Sequence, residues 1–228
     1  MHVLVVAATP EEVKPTLNHF QGNEMGNHTI SFHYTGIGLT ASSVEITRLA
    51  LQNVPDLIIQ AGIAGSLDEK ISVGDTVLVS GEIIGDLGVW ENNDWKTIFD
   101  LSLASKNSFP YQEGLLANPY LRSFQFLDLP TVMAISVNQI STDRRMIDYW
   151  KNSKPTPAIE SMEGAALHEV CLRLKIPFLQ MRAVSNNVGE RNKEKWNISL
   201  AIDHLNQHLI ELLGTLIKET SQFSVHQP

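Results

Sequence analysis

The sequence predicts one α/β fold, a sheet covered on both faces by helices. Three observations carry that expectation. Short apolar runs alternate with helical segments along most of the chain, the pattern of strands joined by crossover helices. The 228 residues are 43% hydrophobic and 18% charged, enough apolar material for a sizeable core and too much for a disordered acidic chain. No repeat, low-complexity tract or linker interrupts them, so residues 1–228 read as a single domain.

Taken in order, His2 to Ala8 is an apolar run that reads as a buried strand, and Pro10 with Glu11 and Glu12 has the chemistry of a helix first turn. His28 to Thr35 alternates weakly. Leu39 to Asn53 reads as a helix that stops before Pro55, and Asp56 to Gln60 as the next apolar strand. Thr76 to Ile84 is a further strand. From Gly85 to Leu129 the pattern dissolves into a segment carrying Trp90, Trp95, Phe99, Phe109, Tyr111 and Tyr120. A connection that long is either a satellite hydrophobic cluster or oligomer surface, or a wall over a bound ligand. Order returns with a strand at Thr131 to Val137, a polar helix from Thr142 to Lys151 and a short strand at Pro157 to Glu160. Leu167, Val170, Cys171 and Leu174 then recur at i, i+3, i+4 and i+7, the stripe of an amphipathic helix that ends before Pro177. A strand at Phe178 to Val184 and a helix at Ile198 to Ile217 close the series.

Composition narrows the partners. With 17 Lys and Arg against 25 Asp and Glu, a net charge of -8 and no basic cluster, nothing is available to neutralise a phosphate backbone. A small molecule is expected, and nucleic acid is not. Cys171 is the only cysteine, which fits a reducing compartment and a place in the core. Val3 to Ala8 runs straight into Glu11 and Glu12 without a basic flank, so a cytoplasmic location is expected. No run approaches the roughly 20 apolar residues of a membrane span, so no membrane partner is expected. A homodimer or higher homo-oligomer is the expected assembly.

Several motifs have a plain reading. Gly36-Ile37-Gly38-Leu39-Thr40-Ala41 matches G-x-G-x-x-A, but Gln60 stands where a ribose-binding acid belongs, so the glycines are read as a tight turn with close helix packing. His204 and His208 lie four apart without the glutamate of H-E-x-x-H and read as a solvated helix face. No metal and no cofactor are expected. Two other segments are more specific. Ser161-Met162-Glu163-Gly164 carries a strand end into a helix start, where the helix dipole keeps Glu163 ionised and able to accept both hydroxyls of a ribose diol. Arg182-Ala183-Val184-Ser185-Asn186 ends another strand with polar groups, and Glu12 follows the first strand. Three strand ends meet at one sheet edge, where open α/β sheets bind ligands.

These residues, with Thr35-Gly36-Ile37-Gly38, Gln60-Ala61-Gly62-Ile63-Ala64-Gly65 and Val73-Gly74-Asp75, resemble the nucleoside phosphorylase and nucleosidase superfamily. Gly85-Asp86-Leu87-Gly88 and Ser185-Asn186-Asn187-Val188-Gly189-Glu190-Arg191 resemble its futalosine hydrolase branch. The resemblance implies a three-layer α/β/α sandwich around a mostly parallel, mixed twisted sheet, and hydrolysis of the N-glycosidic bond of a purine nucleoside. Adenine-directed nucleosidases and purine nucleoside phosphorylases are the rival activities, and a nucleoside-binding protein without catalysis is the non-enzymatic one. By resemblance Glu12 activates water, Glu163 holds the ribose hydroxyls with Met162 packed on the sugar, and Asn186 stands at the base. Ser161, Ala61, Gly62, Arg182 and Ser185 are the further substrate-site candidates that the same motifs supply.

Chemistry supports the same assignments. Cleavage passes through a cationic sugar, so the site must stabilise positive charge, deprotonate water and accept charge on the base. Where phosphorylases of the superfamily hold phosphate, this chain has Thr9-Pro10-Glu11-Glu12 and Gly62-Ile63-Ala64, which repel or ignore an anion. Asn186 stands where adenine-directed relatives carry aspartate, and its NH2 can donate to a 6-oxopurine. For the benzoate on the 5' side of futalosine, Lys96, Arg122 and Arg191 are the candidate cations.

Overall fold

The computed structural model describes residues 1–21 and 28–218. Its elements are β1 (His2–Ala7), α1 (Pro10–Phe20), β2 (Thr29–Tyr34), α2 (Leu39–Gln52), β3 (Leu57–Ser66), β4 (Thr76–Ile84), β5 (Gly88–Glu91), β6 (Asp94–Thr97), β7 (Leu116–Ala117), β8 (Thr131–Ser136), α3 (Arg144–Asn152), β9 (Ile159–Ser161), α4 (Gly164–Leu174), β10 (Phe178–Asn187) and α5 (Ile198–Lys218). Single 3-10 turns cover Leu121–Leu127 and Lys193–Lys195.

One mixed sheet organises the chain. β2, β1, β3 and β10 pair in parallel, as do β4 with β8 and β8 with β9. The antiparallel pairs β10 with β4 and β3 with β9 close a circuit of five strands, β3, β10, β4, β8 and β9, from which β1 and β2 extend. Closure leaves these central strands without free edges. It also directs the ends of β3, β9 and β10 toward a common point.

Two helix pairs, α1 with α5 and α2 with α4, cover the sheet. The continuous apolar runs of β1 and β3 are buried because helices occupy both faces, as the expected α/β architecture requires. Cys171 lies in this core, fully buried beside Leu167, and burial pushes its thiol above the ordinary range. It is a packing residue.

Four departures from the sequence reading have physical causes. β3 continues six residues past Gln60, to Ser66, through Gly62 and Gly65, positions that look like a turn in the sequence. A side chain at Gly62 would run into Arg182 and Glu12, and one at Gly65 into Val188, so these glycines serve close approach within a strand. β10 likewise continues to Asn187, through a register shift between Val184 and Asn186. Residues 85–129 contain the β5–β6 hairpin and β7, with Trp90 and Trp95 paired at 5.9 Å and Tyr120 set edge-on to Phe178 at 5.8 Å. Tyr120 and Phe124 thus join the main core, Trp90 with Trp95 and Phe99 with Tyr111 form separate pairs, and Phe109 is exposed. Finally, His204 is half-buried and its Nδ1 lies 2.7 Å from the Gly74 carbonyl, so it ties α5 to the β3–β4 connection instead of facing solvent.

Candidate active site

The ends of β1, β3, β9 and β10 open into a cavity of about 490 Å³, within the usual range for small-molecule sites. Glu12, Ser161, Met162, Glu163, Ser185 and Asn186 all line it. Ile63, Ala64 and Gly65 supply the β3 side. Ala61 and Gly62 do not reach the surface: Ala61 is fully buried, and Gly62 lies behind Glu12 and Arg182.

Glu12 is placed by the start of its helix. It stands at the third position of α1 and reaches back to Thr9, Oε2 accepting from the Thr9 amide at 3.0 Å in a capping box. Oε1 accepts from the Ile63 amide at 3.0 Å, which ties α1 to β3. Burial pushes its carboxyl above the ordinary range, against the opposing pull of Arg182 and of the Ile63 and Thr9 amides. A carboxylate of raised basicity, facing a cavity and immobilised on both oxygens, is suited to take a proton from water.

Glu163 is the N-cap residue of α4. Oε1 accepts from the Gly38 amide at 3.1 Å, and Oε2 lies 3.4 Å from Arg182 Nη1. Gly38 has a φ of +92°, a conformation that only glycine adopts freely and that aims its N–H at the carboxylate. The Gly36–Gly38 turn is thus a clamp for Glu163, and Gly36 also lets α2 approach, its missing Cβ lying 3.3 Å from Ala41. A carboxylate offers about four lone-pair positions, so Glu163 keeps capacity for a diol after these two contacts.

Arg182 is 1% exposed and does not line the cavity; it sits beneath it. Its Nη2 donates to Gln60 Oε1 at 2.8 Å and its Nη1 to the Ile63 carbonyl and Glu163 at 3.4 Å each. Arg182 is bonded to Glu163 and to the floor of the site, out of reach of the cavity. Gln60 and Gly38 are site-building residues that the sequence reading left out, although a glutamine at the end of an otherwise apolar buried strand is itself a signal.

Asn186 sits at the bulged end of β10. Its Oδ1 accepts from Ser185 Oγ at 2.8 Å and its Nδ2 donates to the Asn187 carbonyl at 3.0 Å, leaving one amide hydrogen for a ligand. The rest of the lining is largely apolar, with Ile37, Val188, Trp196, Ile198 and Ile202, and Arg191 in the same lining has its guanidinium 5.6 Å from the Trp196 ring. Lys96 pairs with Glu91 at 2.6 Å in the hairpin, Arg122 lies in the Leu121–Leu127 turn, and neither lines the cavity. No residue of 85–129 lines this cavity, although Gly85, Asp86, Gly88, Trp90 and Trp95 line a neighbouring pocket that shares Ile140 with it.

This arrangement matches a known family. The sequence profile of the phosphorylase superfamily covers residues 3–218. The chain belongs to that superfamily. Among its relatives, a 5'-methylthioadenosine/S-adenosylhomocysteine nucleosidase of Pseudoalteromonas translucida is 26% identical over 195 residues, 82% of this chain and 79% of the relative. A futalosine hydrolase of Thermus thermophilus is 28% identical over 187 residues, 79% of each chain. The fold superposes on a 5'-methylthioadenosine/S-adenosylhomocysteine nucleosidase of Colwellia psychrerythraea in complex with adenine, with a TM-score of 0.79 at 19% identity, over 95% of this chain and 96% of the other. It superposes equally on the futalosine hydrolase of Helicobacter pylori, with a TM-score of 0.78 at 16% identity, over 95% and 98% of the two chains. Among the described residues no helix is long and apolar enough to cross a membrane.

Proposed function

We propose that this protein is a purine nucleosidase that uses water, and that its substrate is futalosine, cleaved to hypoxanthine and dehypoxanthine futalosine. The observation that carries the first part is the pairing of Glu12 and Glu163 across one cavity whose lining holds Glu11, Glu12, Glu160, Glu163 and Glu190 against a single cation, Arg191. A phosphate dianion finds no counter-charge beside the reacting sugar there, and Ile63 offers it no hydroxyl. Water needs only a base. Glu12 takes its proton while Glu163 accepts the ribose hydroxyls more strongly as the sugar becomes cationic, with Met162 against the ring. The departing base receives a hydrogen bond from the Asn186 amide.

Two features support the 6-oxopurine with an aromatic acid at its 5' side. Asn186 can donate to an oxo group where a carboxylate would repel it. Trp196 and Arg191 together offer a flat apolar wall and a cation in the cavity lining, which suits a ring bearing a carboxylate. The competing reading, 5'-methylthioadenosine, draws on the other apolar residues there, Ile37, Ile198 and Ile202, which suit a thioether, and on the relatives of that name. Base release from futalosine, inosine and methylthioadenosine, each with and without phosphate, separates them. Futalosine is expected to turn over fastest and independently of phosphate. Faster release of adenine would move the assignment to the methylthioadenosine branch, and phosphate-dependent turnover would make the protein a phosphorylase.

A further inference from the structure

Directly under the start of α4 lies a second carboxyl group that the proposed reaction does not use. Glu82 on β4 is fully buried. Its Oε2 accepts from Ser136 Oγ at 3.0 Å, and its Oε1 lies 2.9 Å from Gln180 Nε2. Ser136 Oγ in turn accepts from the Ala165 amide at 2.9 Å, in the first turn of α4. Gly164, the residue after Glu163, presses against Glu82 so closely that any side chain there would collide with its carboxylate.

As an ionised group Glu82 leaves this pocket badly satisfied. Gln180 Oε1 and His168 Nε2 are both buried without partners, and Gln180 is also the side chain that bears on the His168 ring. His168 Nδ1 lies 2.7 Å from the Leu116 carbonyl, so it carries the ring proton and Nε2 is a bare lone pair. Burial holds the ring near a pKa of about 4, so it stays neutral at neutral pH. A half-turn of the Gln180 amide gives both orphaned atoms a partner, provided Glu82 carries a proton. Glu82 then donates to Gln180 Oε1, Gln180 Nε2 donates to His168 Nε2, and His168 Nδ1 donates to Leu116.

The charge balance points the same way. The groups facing Glu82 are Arg182 and Gln180 from β10, Glu163 at the N-cap of α4, and Ser136 from β8, with His168 of α4 next to Gln180. One guanidinium, already bound to Glu163, cannot neutralise Glu12 and Glu82 as well. We propose that Glu82 is a neutral carboxylic acid in the folded protein, donating its proton to Gln180, and that the chain Glu82–Gln180–His168 is the positioning element that fixes the start of α4 and therefore Glu163. Burial pushes the Glu82 carboxyl up to about 7, so the proton is lost near neutrality. On ionisation the Gln180 amide must turn back, Arg182 is shared, and the seat of Glu163 loosens.

The role of Glu163 rests on the functional reading above; the protonation of Glu82 does not, and two measurements separate them. A group whose pKa is raised on folding stabilises the protein below its unfolded value and loses that contribution as pH rises through about 7. Glu82→Gln mimics the protonated acid and cannot ionise, so its melting temperature relative to wild type should climb between about pH 4.5 and about pH 7 and level off above that. A difference that stays flat or falls would overturn the proposal, whatever the substrate. In the nucleosidase assay, kcat of the wild type should decline above neutral pH, and Glu82→Gln should retain turnover at pH 6 while losing that alkaline decline. Glu82→Ala, with both Ser136 and Gln180 left unpaired, should lose about tenfold or more in kcat with a smaller change in KM. An alkaline decline that persists unchanged in Glu82→Gln would remove Glu82 from the positioning of Glu163. Absence of any nucleoside turnover in the wild type, with the melting shift present, would fail the functional reading alone.

Discussion

The cavity lining is built in two ways, a buried and hydrogen-bonded part, its inner end, and a solvent-exposed apolar part, its outer end. At the inner end both carboxylates have each oxygen held, Glu12 by the Thr9 and Ile63 amides and Glu163 by the Gly38 amide and Arg182. At the outer end Ile37 and Ile198 are 63% and 41% exposed, and Arg191 is an exposed side chain laid over Trp196. The rigid end is where charge develops during bond cleavage, and fixed donors and acceptors are most effective there because they need no reorganisation. The outer end meets a substituent that does not react. Loss of a group at the inner end should therefore fall on kcat, and loss at the outer end on the choice of substrate.

The largest effect should come from Glu12→Gln, which keeps the shape and cannot take a proton. General-base catalysis is worth about 10² to 10⁴ in rate, and kcat should fall by that order with KM nearly unchanged. Relative to wild type, the melting temperature of this variant should rise with pH from a deficit at low pH, because the Gln NH2 cannot accept the Thr9 or Ile63 amide hydrogen that the oxygen it replaces accepts. The Glu12 carboxyl is raised on folding, so its stabilising contribution is complete below 4.5 and is lost as the group ionises with rising pH. For the same reason kcat/KM of the wild type should fall on the acid side at a pH above that of an ordinary carboxyl group. A Glu12→Gln enzyme with wild-type kcat would break the comparison at its rigid end.

Next comes Glu163→Ala. Its hydrogen bonds to ribose should strengthen in the transition state, so a loss of about 10²-fold in kcat is expected, with a smaller rise in KM. A change confined to KM would mean that Glu163 binds ground and transition states alike. Asn186→Asp stands between the two ends. It should shift preference from hypoxanthine toward adenine nucleosides by about tenfold or more, measured as the ratio of kcat/KM values. An unchanged ratio would place base discrimination on backbone groups.

How much of this was legible in the sequence follows the same division. β1, β4, β8, α2 and α4 read correctly because their burial is written in hydrophobic periodicity, and that Glu12, Glu163, Ser185 and Asn186 share one cavity was legible because strand ends of an α/β sheet face one edge. The ends of β3 and β10 did not read, because Gly62 and Gly65 signal a turn locally while long-range contacts to Arg182 and Val188 keep them extended. The floor under Glu163 was illegible for a related reason. Glu82, Ser136, His168 and Gln180 come from β4, β8, α4 and β10, and only the closed strand circuit brings them together. Residues 85–129 hid a hairpin because its two four-residue strands, β5 and β6, are too short for an alternation to register.

The smallest expected effect is also the one that sharpens the outer end. Of the three cations that the sequence offered for a substrate carboxylate, Arg191 is the one beside the cavity, and Arg191→Ala should raise KM for futalosine while leaving kcat near wild type. An exposed cation is screened by solvent, so a loss of about tenfold in kcat/KM is a reasonable ceiling, and it should shrink as salt is added. Inosine has no carboxylate to lose and should be unaffected. Lys96→Ala and Arg122→Ala, in residues that do not line the cavity, should change neither substrate. Equal losses on futalosine and inosine in Arg191→Ala would mean that the guanidinium supports Trp196 and the wall rather than a ligand, and the outer end would then shape the cavity without reading a charge.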